Sequence, residues 1–143
     1  MLRVLFVAFA LLAVQAPPSF ARETDAGAAD TVWTAIIPDG FPGFIYTWHM
    51  KRDGTYREDG RDGRRGTPIQ PTLSGRWSRD GAHLLLTQTD QPYVFDGVVL
   101  GGLYSGTLYF HGRAYSRFCA AEGNEAPKRC DNSQGVAALS PAP

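Results

Sequence analysis

The sequence has no net charge, only two cysteines and no long apolar run beyond its first residues. Its 143 residues carry 14 basic and 14 acidic side chains. Balanced charge gives no electrostatic attraction toward nucleic acid or an anionic membrane, so neither is an expected partner. The longest apolar run, Val4–Val14, is shorter than the roughly 20 residues that a membrane-spanning helix needs.

Recognisable catalytic and metal-binding motifs are also missing. Ser105-Gly106-Thr107 lacks the G-x-S-x-G pattern of a nucleophile elbow. The three histidines, His49, His83 and His111, are not spaced like metal ligands. The segment 53–66 (DGTYREDGRDGRRG) contains several carboxylates, but arginines interrupt them and the EF-hand spacing is absent. The sequence therefore predicts no catalytic residue, no metal and no cofactor.

The N-terminus has the pattern of a secretory signal. Arg3 precedes the apolar run, and small residues occupy the last and third-last positions of Ser19-Phe20-Ala21. This order predicts a signal peptide over residues 1–21, cleaved after Ala21. A retained membrane anchor is the alternative, which the short run disfavours. We predict a periplasmic or secreted protein without a membrane anchor, with a flexible segment 22–30 before a single domain.

The two cysteines, Cys119 and Cys130, are an even number in a chain predicted to be exported. This predicts a disulfide that pins the chain after its last strand. A pair of metal ligands is the alternative, which the absence of a nearby histidine disfavours. The predicted domain spans 31–119, and the tail 120–143 is expected to be pinned by the disulfide and then disordered.

Asp-Gly pairs recur between apolar and aromatic runs. Both residues tolerate the positive φ of tight hairpin turns, so this pattern indicates an antiparallel meander. His111-Gly112 occurs in a similar context. The Asp-Gly pairs are Asp39-Gly40, Asp53-Gly54, Asp59-Gly60, Asp62-Gly63, Asp80-Gly81 and Asp96-Gly97.

The segments between these pairs contain alternating aromatic and β-branched residues typical of strands. The predicted fold is all-β, a small antiparallel meander barrel of about eight strands, with an open β-sandwich as the alternative. Asp59–Pro71 is predicted to be a solvated loop, and Asp96-Gly97 a turn or bulge within a strand. The predicted strands are Thr31–Ile37, Phe44–Lys51, Thr55–Glu58, Leu73–Ser78, His83–Gln88, Tyr93–Leu100, Leu103–Phe110 and Arg113–Cys119.

Three hairpin segments resemble the small lipocalin-like, calycin-type domains of exported bacterial proteins. They are 48–56 (WHMKRDGTY), 75–81 (GRWSRDG) followed by 84–86 (LLL), and 106–113 (GTLYFHGR). The chain departs from true lipocalins near its N-terminus, where Thr31-Val32-Trp33-Thr34 replaces a G-x-W motif. The resemblance implies a barrel that holds an apolar ligand, and it carries over no catalytic residue.

Aromatic residues are the candidate ligand-binding side chains. Inward residues of a small barrel either fill the interior or line a cavity, so core packing is the alternative role. We predict a non-catalytic exported binding protein that holds a small apolar or aromatic ligand. The candidate ligand-binding residues are Tyr46, Trp48, Tyr56, Trp77, Tyr104 and Tyr115.

Charged residues support two further hypotheses. Arg61, Arg64 and Arg65 could meet an acidic partner, which predicts a protein–protein module such as an inhibitor or immunity-type partner of another exported protein. A small barrel enzyme is the lesser alternative. In that case Glu58 would pair with Asp59 or Asp96 across the barrel mouth as acid and base.

Overall fold

The computed structural model describes residues 30–130, and within them the protein is all-β. The predicted signal peptide, residues 22–29 of the predicted flexible segment and the tail from residue 131 lie outside the described residues. Eight strands follow one another along the chain: β1 (Thr31–Ile37), β2 (Phe41–Met50), β3 (Thr55–Asp62), β4 (Leu73–Asp80), β5 (His83–Gln88), β6 (Tyr93–Leu100), β7 (Leu103–Phe110) and β8 (Arg113–Glu122).

The eight strands form a closed antiparallel meander barrel. Each strand pairs with the next, and β1 pairs with β8. Closure leaves no unpaired sheet edge, which removes a surface that would otherwise template aggregation. The predicted barrel is therefore confirmed, and the open sandwich is excluded.

Asp-Gly and His-Gly pairs make most of the tight turns, as expected. Asp53-Gly54 lies in the connection from β2 to β3, and Gly81-Ala82 follows Asp80 and connects β4 to β5, with positive φ at Gly54 (81°) and Gly81 (58°). His111-Gly112 connects β7 to β8, and His111 itself adopts a φ of 49°. Glycine supplies this backbone conformation without steric cost, which explains why the pattern located the hairpins.

The prediction of a turn or bulge at Asp96-Gly97 was wrong. Strand β6 runs without interruption through this pair, and Gly97 lies opposite Gly106 of β7 in regular register. A side chain at either glycine would collide with the backbone of the other strand. This glycine therefore permits a close approach of two strands rather than a turn.

The predicted loop Asp59–Pro71 was wrong over its first four residues, because β3 continues to Asp62. Asp59 to Asp62 pair with Thr47 to Phe44 of β2. The alternation continues with polar residues outside, since Arg61 is exposed while Gly60 is buried. The connection to β4 is therefore shorter, residues 63–72, and we call it the mouth loop.

Three further strands extend beyond their predicted limits: β8, β2 and β4, which ends at Asp80 rather than Ser78. β8 continues past Cys119 to Glu122, because its residues Cys119 to Glu122 pair with Ile36 to Trp33 and close the barrel. β2 begins at Phe41 rather than Phe44, and Phe41 pairs with Ile37. The domain thus includes part of the predicted tail. The predicted disulfide is present between Cys119 and Cys130, whose Cα atoms are 5.4 Å apart.

Aromatic rings fill the middle of the barrel. Trp48 contacts Phe95 with a centroid separation of 4.8 Å, and Tyr104 contacts Phe118 at 4.7 Å. All four side chains are buried, and edge-on ring contacts of this kind add to the gain from burial. This packed layer forms a solid floor beneath the end of the barrel that carries the mouth loop.

Candidate ligand cavity

A cavity of about 620 Å³ opens at the end of the barrel that carries the mouth loop. Its walls come from residues of seven strands, β1 to β7, and from the connections between β3 and β4 and between β5 and β6. The lining is aromatic and aliphatic apart from a few polar side chains. It comprises Ile37, Phe41, Phe44, Tyr46, Glu58, Ile69, Gln70, Pro71, Leu73, Gln88, Gln91, Tyr93, Phe95 and Leu108.

Glu58 is the charged residue in this lining, and its side chain is buried. Trp48 Nε1 donates to Glu58 Oε2 at 2.8 Å, and Gln88 Nε2 donates to the same oxygen at 2.8 Å. Gln70 Nε2, on the mouth loop, donates to Oε1 at 2.9 Å. Three neutral donors therefore hold one carboxyl group in a fixed position inside the barrel.

The electrostatics of Glu58 set two effects against each other. Burial raises the pKa of this carboxyl above its ordinary value, and the hydrogen bonds from Trp48, Gln70 and Gln88 lower it by less. The net direction is upward because desolvation disfavours the charged form. Glu58 acts in turn on Tyr46, whose pKa is raised by burial first and by the nearby carboxylate second.

Within residues 30–130, two buried polar atoms near this carboxyl have no hydrogen-bond partner. They are Gln88 Oε1 and the hydroxyl of Tyr56. Both residues lie in one row across the sheet, because Tyr56 pairs with Gly75 and Gly75 pairs with Gln88. A side chain at Gly75 would collide with the ring of Tyr56, so that ring lies across β4. Buried polar atoms are costly to leave without a partner, and of these two residues Gln88 is the one that lines the cavity.

The mouth loop folds back toward the barrel. Ile69 N donates to Gly60 O at 3.1 Å, and Asp62 N donates to Thr67 O at 2.9 Å. The side chain of Ile69 packs against the core, and Gln70 reaches Glu58. The loop therefore supplies one apolar and one polar wall of the cavity.

The structure places the six predicted ligand-binding residues in different environments. Tyr46 lines the cavity. Trp48, Tyr56 and Tyr104 are buried below it, with the Tyr104 hydroxyl 2.9 Å from Phe95 O. Trp77 is half-buried, and its Nε1 donates to a backbone carbonyl, Lys51 O. Tyr115 is 49% exposed, and its ring contacts the cavity-lining rings of Phe41 and Tyr93. The set is thus divided between the cavity wall, the core and the surface.

The three predicted partner-binding arginines lie together near the mouth loop. Arg61 is exposed on β3, and Arg64 and Arg65 are exposed in the loop. The backbone amides of Arg64 and Arg65 both donate to Asp62 Oδ1 at 2.8 Å. The carboxylate of Asp62 therefore stabilises the turn that contains Arg64 and Arg65.

The suggested pairing of carboxylates across the mouth was wrong. Glu58 lies inside the barrel, whereas Asp59 is on the outer face, where it contacts Arg57 and His49. Asp96 is also outside, 2.6 Å from His83 Nε2. Adjacent strand residues face opposite sides, which separates Glu58 from Asp59. In the described part of the chain, no three His, Cys, Asp or Glu side chains cluster closely enough to hold a metal ion.

Sequence reasoning missed the cluster of Glu58, Gln70 and Gln88, and it missed most of the aromatic lining. One signal for Glu58 was present. Counting outward from the Asp53-Gly54 turn pairs Trp48 with Glu58, so an inward Trp48 requires an inward Glu58. Gln70 carried no such signal, because its position depends on how the mouth loop folds back.

Comparisons of the chain with family models, with curated proteins and with solved structures found no match. Within residues 30–130, no helix has the length and apolar character needed to cross a membrane.

Proposed function

We propose that the protein is a non-catalytic binding protein that holds a small molecule with an apolar or aromatic body in the cavity. The observation that carries this proposal is the lining itself: aromatic and aliphatic side chains surround a few fixed polar groups. Ligand sites in proteins are typically concave, mostly apolar and about 300–1,000 Å³ in volume. The cavity, at about 620 Å³, lies within that range.

The architecture supports the same proposal. The aromatic layer of Trp48, Phe95, Tyr104 and Phe118 gives the cavity a rigid floor, and the closed sheet gives it rigid walls. A preformed site loses little conformational entropy when a ligand binds. The resemblance to lipocalin-like domains implies the same use of a barrel interior.

Export is part of the proposal. The disulfide between Cys119 and Cys130 fits a compartment outside the cytoplasm, where such bonds persist. Together with the signal pattern of residues 1–21, it supports a periplasmic or secreted location. Expression in the natural host, followed by N-terminal sequencing of the mature chain, tests this point. A mature chain starting after Ala21 and found outside the cytoplasm is the expected result.

Native mass spectrometry of protein purified from its own host tests the binding function. We expect a population heavier than the polypeptide by the mass of one small molecule, released when the protein is denatured. Protein from that source that carries no ligand, and that also fails to bind apolar probes, would contradict the proposal.

A second candidate function rests on a different observation, an aromatic cluster on the outside of the mouth. Tyr115 is 49% exposed, and its ring lies 5.7 Å from that of Phe41 and 6.2 Å from that of Phe110. Exposed aromatic residues are frequent anchors of protein interfaces. This cluster, with the arginines of the mouth loop, favours docking of another exported protein as the alternative function.

A further inference from the structure

We infer that the cavity selects ligands whose apolar body carries a cationic amine, and that Glu58 and Gln88 receive this group. The inference rests on the proposed binding function and specifies the class of ligand. It arises from two hydrogen-bond acceptors, on Glu58 and Gln88, that lie in the wall of a mostly apolar cavity.

Glu58 is an acceptor with unmet capacity. A carboxylate accepts about four hydrogen bonds, and Glu58 receives three, two on Oε2 and one on Oε1. All three donors are neutral, and within residues 30–130 Glu58 forms no ion pair. A buried carboxylate is stabilised most when a cation completes its hydrogen bonds. Oε1 accepts only one of the three hydrogen bonds and therefore has the greater remaining capacity for that donor.

Gln88 provides an independent observation. It lines the cavity, its side chain is 6% exposed, and its Oε1 is buried without a partner. Its Nε2 is already committed to Glu58. Gln88 and Glu58 therefore present two oxygens that both require a donor, and an ammonium group carries three donors.

Aromatic rings complete the preference for a cation. Phe41, Tyr46 and Tyr93 line the cavity, and the rings of Phe41 and Tyr93 meet edge-on with centroids 6.2 Å apart. The faces of such rings attract organic cations, most strongly where water is excluded. Among residues 30–130, the cavity lining contains no Lys, Arg or His, so it offers no cationic side chain to attract a carboxylate ligand. An anionic head group would instead meet Glu58 with like charge.

The test compares three probes that share one apolar body: naphthylethylamine, naphthylethanol and naphthylacetate. Their binding to the full-length mature protein at neutral pH is measured by isothermal titration calorimetry. We expect the amine to bind about tenfold or more tighter than the alcohol, because hydrogen bonds to charged groups are the stronger ones. The acid should bind more weakly than the alcohol.

Glu58→Gln isolates the charge. The variant keeps the shape of the side chain, and Gln70 can turn its amide to pair with the new nitrogen. In this variant the preference for the amine over the alcohol should fall to about twofold or less, because the affinity for the amine falls more than the affinity for the alcohol. Glu122→Gln makes the same atomic change at the exposed end of β8 and should keep the wild-type preference.

The outcomes separate this inference from the proposed function. Equal binding of amine and alcohol by the wild type would overturn the inference and leave the binding function standing. A preference for the amine over the alcohol that persists in Glu58→Gln would also overturn the inference and leave the proposed binding function unaffected. Failure of all three probes, and of the neutral dye N-phenylnaphthylamine, would overturn both. If Glu58→Gln does not fold, the wild-type comparison of the three probes decides alone.

Discussion

Trp48 and Glu58 face each other across β2 and β3, and the indole Nε1 of Trp48 donates to Glu58 Oε2 at 2.8 Å. Both side chains are buried, at 0% and 2% exposure. The bond joins the packed aromatic floor of the barrel to the polar inner end of the cavity. A residue of the hydrophobic core thereby fixes the carboxyl group that we propose to recognise the ligand.

Removing this donor should weaken the fold. Trp48→Phe leaves Glu58 Oε2 with one donor instead of two, so we expect a loss of about 1–3 kcal/mol in the free energy of unfolding. Urea denaturation monitored by circular dichroism measures this loss in the free energy of unfolding. Trp77→Phe is the matched control, because Trp77 Nε1 donates to Lys51 O where water can replace it. Equal losses in the free energy of unfolding of the two variants would contradict a specific contribution of the Trp48–Glu58 hydrogen bond to stability.

Glu58 should make the stability of the ligand-free protein depend on pH. Burial raises its pKa above the ordinary value of 4.5, so between that value and the raised one the folded form holds a proton that the unfolded form has released. The contribution of this group is therefore favourable at low pH and is lost as pH rises through the window. Each pH unit in the window corresponds to about 1.4 kcal/mol.

The variant Glu58→Gln tests this sign. Its stability relative to the wild type should increase from acid toward neutral pH, as measured by denaturation at a series of pH values. Tyr46, Tyr56 and Tyr93 face the same region, and burial raises the pKa of each, so they stay neutral throughout. Glu122→Gln is again the control. A relative stability that falls as pH rises would contradict the account.

Much of the barrel could be predicted from sequence because its turns are local. In Asp53-Gly54 and Asp80-Gly81 the glycine fixes a hairpin through its positive φ, and in His111-Gly112 both residues do so. Asp59-Gly60 and Asp96-Gly97 have the same composition but lie within strands, where pairing with β2 and β7 overrides the turn preference. Long-range pairing of this kind leaves no local trace.

The polar part of the cavity could not be predicted from the sequence, because it also depends on long-range contacts. Charged residues are seldom buried, and the polar segment Asp59–Asp62 that follows Glu58 has the composition of a loop, so composition gave no indication of a buried Glu58. Its burial depends on donors from Trp48, Gln70 and Gln88, which come from three separate parts of the chain. The aromatic candidates were chosen by residue type alone, and type does not distinguish the cavity-lining Tyr46 from the core residue Tyr104.

The disulfide should stabilise the domain measurably. It joins Cys119, which is buried at the barrel seam, to Cys130, with a sequence separation of 11. Replacing both cysteines by alanine should cost about 2–3 kcal/mol, because the bond restricts the unfolded chain. Thermal denaturation of the variant against the oxidised wild type measures this cost. An unchanged melting temperature would contradict it.

The arginines distinguish the two candidate functions. Replacing Arg61, Arg64 and Arg65 by alanine should leave the melting temperature nearly unchanged, since exposed substitutions usually cost within about 0.5 kcal/mol each. Binding of the neutral probe naphthylethanol should also be unchanged. If the protein acts instead by docking a protein, the triple variant should lose binding to that partner in pull-downs from the host's exported fraction.

Occupation of the cavity is tested most directly by filling it. N-phenylnaphthylamine should bind the wild type at one saturable site, with enhanced fluorescence. Replacing Ile69 and Leu73, which line the cavity, by tryptophan should abolish that binding. The same replacement of Leu85 and Val94, which are partly buried and alternate with inward residues of β5 and β6, should preserve it. Absence of binding to the wild type, or equal binding to both variants, would contradict a ligand site inside the barrel.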